Sequence, residues 1–222
     1  MADFAKILYE KFLMRDVLGK VAPGGIVVLI LLQAIGYPLS VLSTLKLPES
    51  GLAYFIVLPL FYLIGVALQI IAELLGLHSA SPRPRYVFFR PATGNWAKLN
   101  EDFDARLAII KSAPTDKWID GAKEQRERFV YLKEGSGNMA IALLIAAVIL
   151  LVKIQGYLFL ICFTISIILY KSHIMHAERQ AKYEINTLFR SGLIEKDVAD
   201  KMRDRLEIKK YTSTVLDPFW GI

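Results

Sequence analysis

The chain has 222 residues, of which 55% are hydrophobic, and its formal net charge is +6. Soluble domains are usually about 45–50% apolar, and here the excess lies in blocks, which is typical of a protein whose helices have lipid as their solvent. Acidic residues accompany the basic ones in every charged segment, which argues against the single-sign stripe that nucleic acid requires. Because of this mixed charge we expect no nucleic-acid partner. The single cysteine, Cys162, excludes an intramolecular disulfide.

The basic residues are distributed unevenly between two kinds of segment. Three charge-rich segments, residues 1–23, 78–134 and 171–222, carry 25 of the 27 Lys and Arg side chains. The two short connectors carry one each, Lys46 and Lys153. Because Lys and Arg are retained in cytoplasmic loops, this pattern predicts an all-α integral membrane protein with four transmembrane helices, both termini in the cytoplasm and a cytoplasmic helical layer. The expected location is a bacterial inner membrane.

Five segments follow from this pattern. Residues 1–22 are predicted to form an amphipathic interfacial helix, and residues 23–77 the first transmembrane helix pair. Residues 78–134 are predicted to form a cytoplasmic helical segment. Residues 135–172 would form the second transmembrane pair or a re-entrant hairpin, and residues 173–222 a cytoplasmic helical C-terminal segment.

The first apolar block starts with a Pro-Gly-Gly run at Pro23, which we expect to break the chain before a span over about residues 24–45. Its 22 uncharged residues would cover about 33 Å, enough to cross the hydrocarbon core of a bilayer. The second predicted span runs over about residues 52–72. It ends at Glu73, whose carboxylate can reach interfacial water.

Small residues recur at four-residue spacing on two of the predicted spans. They are Gly36, Ser40 and Thr44 on the first span, and Ala142 and Ala146 on the third. Small side chains let membrane helices approach closely. This pattern predicts close helix packing, either between the subunits of a homo-oligomer or within one four-helix bundle.

Two prolines and three polar residues could serve a pore. Pro38 and Pro59 lie at matched depth, and a proline inside a helix frees a carbonyl that can line a substrate site. Three polar residues could line a water-filled seam between the helices, a shared wet seam, together with these prolines: Gln33, Gln69 and Glu73. Kinks that serve packing alone are the alternative, and the absence of charged residues at mid-membrane disfavours an ion-coupled transporter.

The central charged segment is predicted to hold two helices, over residues 100–112 and about 116–134, with Pro114 between them. Asn100 is a candidate N-cap for the first, because its side-chain oxygen can accept a free backbone N–H. A basic–aromatic cluster suited to lipid headgroups follows the second span directly: Arg83, Arg85, Tyr86 and Arg90. An anionic ligand is the alternative for this cluster.

The last apolar block, residues 135–152 and 154–170, is interrupted by Lys153. Its two parts are short, so we expect two short spans, with a re-entrant hairpin shielded by other helices as the alternative. The fourth span is predicted to continue as a helix to Arg190 and to turn at Gly192.

A final helix is predicted over about residues 195–210. Four apolar residues recur at four-residue spacing along it: Ile194, Val198, Met202 and Leu206. Residues 188–194 and this helix form a helical hairpin that resembles the short helix–Gly–helix modules at the C-termini of various prokaryotic membrane proteins. The resemblance implies no function.

Catalytic and metal-binding patterns are weak. His173 and His176 are three residues apart with Glu178 nearby, but two ligands at this spacing match a metal site poorly. The residues around His78 form no recognisable nucleophile–base arrangement. We therefore expect no enzyme, no cofactor and no bound metal.

The favoured function is a non-enzymatic membrane protein that forms a homo-oligomer and couples the lipid bilayer to a cytoplasmic protein partner. It would act as a sensor, an anchor or a pore-type effector, and bacterial defence effectors are an analogy of size and topology only. The alternative is a channel or transporter subunit for a small solute. A membrane enzyme that acts on lipid, with Glu73, His78, Arg83 and Arg85 in a headgroup-level pocket, is the least favoured.

Overall fold

The structure, a computed structural model, describes residues 16–36, 52–74, 86–87, 90–91, 95–114, 121–153 and 155–208. In chain order its elements are α1 (Ala22–Ala34), α2 (Leu52–Leu74), β1 (Tyr86–Val87), β2 (Arg90–Pro91), α3 (Asn95–Ser112), α4 (Ala122–Val152), α5 (Gly156–Arg190) and α6 (Lys196–Ile208). The two strands pair antiparallel and are two residues long. Apart from this ladder, the predicted all-α class is confirmed within the described residues.

Contacts between residues divide the chain into two units. The apolar unit comprises Met1–Ile71 and Glu134–His173, and the charged unit comprises Ala72–Lys133 and Ile174–Ile222. Each unit has its own hydrophobic cluster. The helices α4 and α5 are each uninterrupted and have residues in both units.

Three helices in the described part of the chain are long and apolar enough to cross a membrane, judged by length and composition. They are Asp16–Ala34, Ala122–Val152 and Gly156–Arg190, with 19, 31 and 35 residues. Within α2, Val57–Ile71 is a shorter apolar stretch. The membrane-like composition of the helices is therefore established, and the count of four spans stays a prediction.

The break that we expected at Pro23 is wrong. The helix runs from Asp16 to Ala34, first as one π-helical turn over residues 16–21 and then as α1. Val21, the residue before α1, already has helical dihedral angles, with φ −63° and ψ −47°. Pro23 is therefore inside a continuous helix.

Tertiary structure explains why the helix survives this proline. Proline has no N–H to donate to the carbonyl four residues earlier, which here belongs to Gly19. The side-chain Nδ2 of Asn138, on α4, donates to the Gly19 oxygen over 2.6 Å. The substitute hydrogen bond and the wider π turn together allow the helix to pass Pro23.

The α1 helix ends well before the predicted end of the first span at residue 45. The N–H of Ile35 donates to Leu31 O, and that of Gly36 donates to Gln33 O. The φ of Gly36 is +95°, a conformation that only glycine adopts without strain, and it stops the helix. The rest of the predicted span lies outside the described residues.

The α3 helix is longer than predicted. It begins at Asn95, so Asn100 lies inside the helix and the prediction that it caps the N-terminus is wrong. The helix ends at Ser112, two residues before Pro114, as predicted.

The predicted C-terminal helical hairpin is confirmed. The N–H of Gly192 donates to Phe189 O over 3.0 Å, and that of Leu193 donates to Leu188 O over 2.9 Å. With a φ of +65° at Gly192, these bonds form the Schellman motif that ends α5. The hydrophobic cluster of the charged unit joins α5 to α6 and comprises Ile185, Ala199 and Met202, with Ile194 and Leu206 packed against it. Val198 is instead exposed.

Candidate functional site

The first two helices are in backbone contact at two glycines, Gly24 and Gly65. A Cβ atom on Gly24 would overlap the carbonyl oxygen of Phe61, and one on Gly65 would overlap the carbonyl oxygen of Lys20. Only a residue without a Cβ atom allows this approach. The contact between these two helices therefore depends on two glycines that do not belong to the predicted seam.

The predicted seam residues of the third span, Ala142 and Ala146, are fully buried within the single chain. Ala142 belongs to the hydrophobic cluster of the apolar unit, together with Val27, Leu68, Ile64 and Ile145. This placement supports packing within one bundle. A subunit interface at these alanines stays a prediction.

Of the predicted seam residues of the first span, the structure describes only Gly36. Gly36 lies in the turn after α1. Ser40 and Thr44 lie outside the described residues. The seam therefore stays a prediction, and its first member does not lie within a helix.

The predicted pore residues occupy different surroundings. Gln33 and Gln69 are half-buried, whereas Pro59 and Glu73 are exposed. Pro59 lies inside α2, which continues past it to Leu74. Pro38 lies outside the described residues, and a shared wet seam stays a prediction.

The predicted headgroup cluster is described only in part. Tyr86 is paired with Pro91 and Val87 with Arg90 across the two-residue ladder. Arg83 and Arg85 lie outside the described residues, so lipid contact by this cluster stays a prediction.

The two histidines that were considered as metal ligands, His173 and His176, both lie within α5. The described residues contain no group of three or more His, Cys, Asp or Glu side chains that could hold a metal ion. His173 is buried and stacks on Tyr170, with ring centroids 6.0 Å apart. The arrangement is that of a packed helix face.

Sequence reasoning missed a buried ionic cluster in the charged unit, centred on Glu184 of α5. Arg106 of α3 donates through Nε to Glu184 Oε2 over 3.2 Å. Arg126 of α4 donates through Nε to Glu184 Oε1 over 2.8 Å. Gln180, one turn before Glu184, donates through Nε2 to the same Oε1 over 2.8 Å. One carboxylate therefore joins three helices.

Burial makes this cluster energetically consequential. The Arg106 and Glu184 residues each keep only 2% of their surface exposed. Removing a charge from water costs several kcal/mol, and the cost is recovered only with good geometry and satisfied hydrogen bonds. Two guanidinium groups on one carboxylate also leave a net charge of about +1 in this cluster, counted from the formal charges of the three side chains.

Aromatic and further ionic contacts surround the cluster. Arg106 lies over the ring of Phe103, with 5.7 Å from Cζ to the ring centroid. One turn before Arg106, the carboxylate of Asp102 accepts a hydrogen bond from Arg205 of α6. The other oxygen of Asp102 is buried without a partner among the described residues.

The sequence contains a pattern from which this buried cluster could have been predicted. Glu184 stands among Ala177, Ala181, Ile185 and Leu188, which are all buried, so it lies on the apolar stripe of its helix. Arg106 likewise follows the buried Phe103 at three-residue spacing. Opposite charges on the apolar stripes of two helices indicate a buried ion pair. Mixed charge along these helices instead suggested solvated faces.

Comparison with protein-family models, with curated proteins and with solved structures found no match to this chain.

Proposed function

We propose that this chain is a non-enzymatic, multi-pass membrane protein that couples the bilayer to a protein partner on the cytoplasmic side. The observation that carries the proposal is the composition of α4 and α5. Residues 122–134 of α4 carry seven Asp, Glu, Lys or Arg side chains, and residues 135–152 carry none. In α5, residues 156–170 carry none and residues 171–190 carry six.

An uninterrupted helix suits such coupling physically. Every residue in the helix interior is tied to its neighbours four positions away by backbone hydrogen bonds. A tilt or rotation of the apolar half is therefore carried into the charged half, where side chains can meet a soluble partner. The Glu184 cluster joins α3 to both of these helices, which makes α3 a candidate element for transmitting the change.

The proposed topology has four spans with both termini in the cytoplasm, in the inner membrane of a bacterium. Its support is the confinement of 25 of 27 basic residues to the three charge-rich segments. The α2 helix has 23 residues, about 34 Å at 1.5 Å per residue, which is long enough to serve as the second of the four proposed spans.

Assembly into a homo-oligomer is part of the proposal. The apolar half of α5 carries large exposed side chains, including Tyr157 at 78% and Ile168 at 59% exposure. This surface suits lipid, and it also offers area to a second copy of the chain. The proposal places the oligomer contact there because Ala142 and Ala146 are already buried within the chain.

Topology can be tested with a matched pair of single-cysteine variants in a Cys162→Ser background. Lys153 and Lys123 are both exposed. In intact spheroplasts, a membrane-impermeant maleimide should label Lys153→Cys, and it should label Lys123→Cys only after lysis. Protection of Lys153→Cys until lysis would instead support the re-entrant hairpin.

Coupling and assembly can be tested by extraction in a mild detergent. The native mass of the complex is measured and co-purifying proteins are identified. A discrete multimer with a soluble partner is expected. A monomer with no partner after chemical cross-linking in cells would overturn the proposal.

A further inference from the structure

The Glu184 cluster has more hydrogen-bond donors than acceptors. A guanidinium group has five N–H donors, and Arg106 and Arg126 each use only Nε in their hydrogen bonds to the described residues. Their terminal amino groups therefore keep eight N–H donors in all, without an acceptor in the described part of the chain. The Glu184 carboxylate already accepts three hydrogen bonds, including that of Gln180.

We infer that Arg106 and Arg126 form a binding site for a phosphate group within the charged unit. A guanidinium group without a full set of acceptors is costly to bury, and Arg106 keeps 2% of its surface exposed. The pair also carries a net positive charge after Glu184 is counted. A phosphate oxyanion supplies both the acceptors and the missing negative charge.

Arginine chemistry favours a phosphate over a neutral or cationic ligand. The planar guanidinium fork presents parallel N–H groups that match two oxygens of a phosphate or carboxylate. A cation would be repelled by the two guanidinium groups. Access is expected from the side of Arg126, because its side chain is 18% exposed whereas that of Arg106 is 2% exposed.

Gln180 adds a feature that distinguishes among oxyanions. Its Oε1 is buried and has no hydrogen-bond partner among the described residues, whereas its Nε2 is 2.8 Å from Glu184. This oxygen can accept the hydroxyl proton of inorganic phosphate. Sulfate at neutral pH and the phosphodiester of a phospholipid have no such proton. The site is therefore expected to prefer free inorganic phosphate, which keeps a hydroxyl proton at neutral pH, whereas most of a phosphate monoester, with a second pKa of about 6, has lost it.

The first test uses the full chain in a neutral detergent. Calorimetric titration with sodium phosphate at pH 7 and constant ionic strength is compared with titration with sodium sulfate. Phosphate should bind, and sulfate should bind at least about 10-fold more weakly, which corresponds to about 1.4 kcal/mol. Gln180→Met should reduce this preference.

A matched pair of variants separates the site from general charge. Arg126→Gln removes one of the two guanidinium groups, and Arg128→Gln makes the same change at an exposed position on the same helix. Arg126→Gln should weaken phosphate binding by about 10-fold or more, because a charge-assisted pair is lost, and Arg128→Gln should leave it unchanged. Thermal unfolding without phosphate shows whether both variants fold.

A second arm distinguishes a lipid headgroup from free phosphate. The wild-type chain and both variants are placed in nanodiscs of phosphatidylglycerol or of phosphatidylcholine. Stabilisation by phosphatidylglycerol that depends on Arg126 but not on Arg128, without binding of inorganic phosphate, would assign the phosphate to a headgroup. Absence of an Arg126-dependent effect in both arms would overturn the inference. Neither arm depends on the topology or the partner proposed above.

Discussion

The apolar unit and the charged unit use different interactions to hold helices together. In the apolar unit, Gly24 and Gly65 bring two backbones into contact, and Asn138 and Ser166 donate to backbone carbonyls of neighbouring helices. In the charged unit, one carboxylate, that of Glu184, is shared by side chains from three helices. In the apolar unit, small residues allow the helix backbones to come close together. In the charged unit, long charged side chains link the helices.

The two units are therefore sensitive to different kinds of substitution. Between helices with lipid as solvent there is little hydrophobic driving force, so close packing has to supply the contact energy. A single added methyl group is then a large perturbation. A buried ionic cluster tolerates small changes of volume, but it cannot lose its shared carboxylate without leaving both arginines unpaired.

Removal of the Glu184 charge should have the largest effect. Glu184→Gln keeps the size of the side chain but leaves Arg106 buried without its counter-charge, which should lower the free energy of unfolding by about 3–5 kcal/mol. Unfolding of the protein in mixed micelles by added denaturing detergent measures this.

Two further variants sharpen the prediction for Glu184. Glu101→Gln makes the same change at an exposed position of α3 and should have little effect. The triple variant Arg106→Met, Arg126→Met and Glu184→Leu should recover much of the loss, since apolar replacement of a whole buried ionic cluster is often tolerated. Equal losses in Glu184→Gln and Glu101→Gln would show that the buried pair does not stabilise the unit.

Filling the backbone contact should break the apolar unit. Gly24→Ala and Gly65→Ala each place a methyl group against a carbonyl oxygen, so each should cost about 1–3 kcal/mol or more in the same unfolding measurement. Gly19→Ala is the control, because no atom lies within 4 Å of its added Cβ. The control should be neutral or slightly stabilising, as expected for Gly→Ala in a helix. A loss in Gly19→Ala as large as in Gly65→Ala would contradict the crossing.

The charged unit also needs a glycine, but for conformation rather than for space. Gly192 has a φ of +65° with open space around its Cα, so Gly192→Ala should cost about 1–2 kcal/mol through backbone strain. Gly156→Ala is the control, because its added Cβ also meets open space and its φ is not positive. Thermal unfolding of both variants measures their loss of stability. The Schellman motif predicts a larger loss for Gly192→Ala than for Gly156→Ala.

Loss of the hydrogen bond that replaces the Pro23 N–H should have the smallest effect. Asn138→Leu removes the donor to Gly19 O and should cost about 0.6 kcal/mol, and at most about 1.7 kcal/mol, which are the average and the largest value for hydrogen bonds between membrane helices. Thr164→Val, at an exposed position of α5, is the control. If Asn138→Leu were as harmless as Thr164→Val, the helix could pass Pro23 without this bond. The double variant Asn138→Leu with Gly65→Ala should lose more stability than either single variant. Comparing its loss with the sum of the two single losses shows whether the two contacts act independently.

Much of the helical framework follows from local sequence. Uncharged stretches and the charged runs beside them predicted the apolar halves of α4 and α5 and the continuation of α5 to Arg190, which the structure confirms. The turn at Gly192 and the final helix were predicted from a glycine followed by a recurring apolar spacing, and both are present. These features depend on neighbours in the chain, which a sequence displays directly.

Composition and local pattern were enough to predict a mainly helical chain and to identify the stretches whose composition suits lipid. Three features are visible in the folded chain alone: the helix passes Pro23, Gly24 contacts Phe61, and two arginines share Glu184. The reason is physical: a missing backbone donor, a close approach and a buried charge are each resolved by a residue tens of positions away along the chain. Local periodicity cannot show which distant side chain supplies the partner.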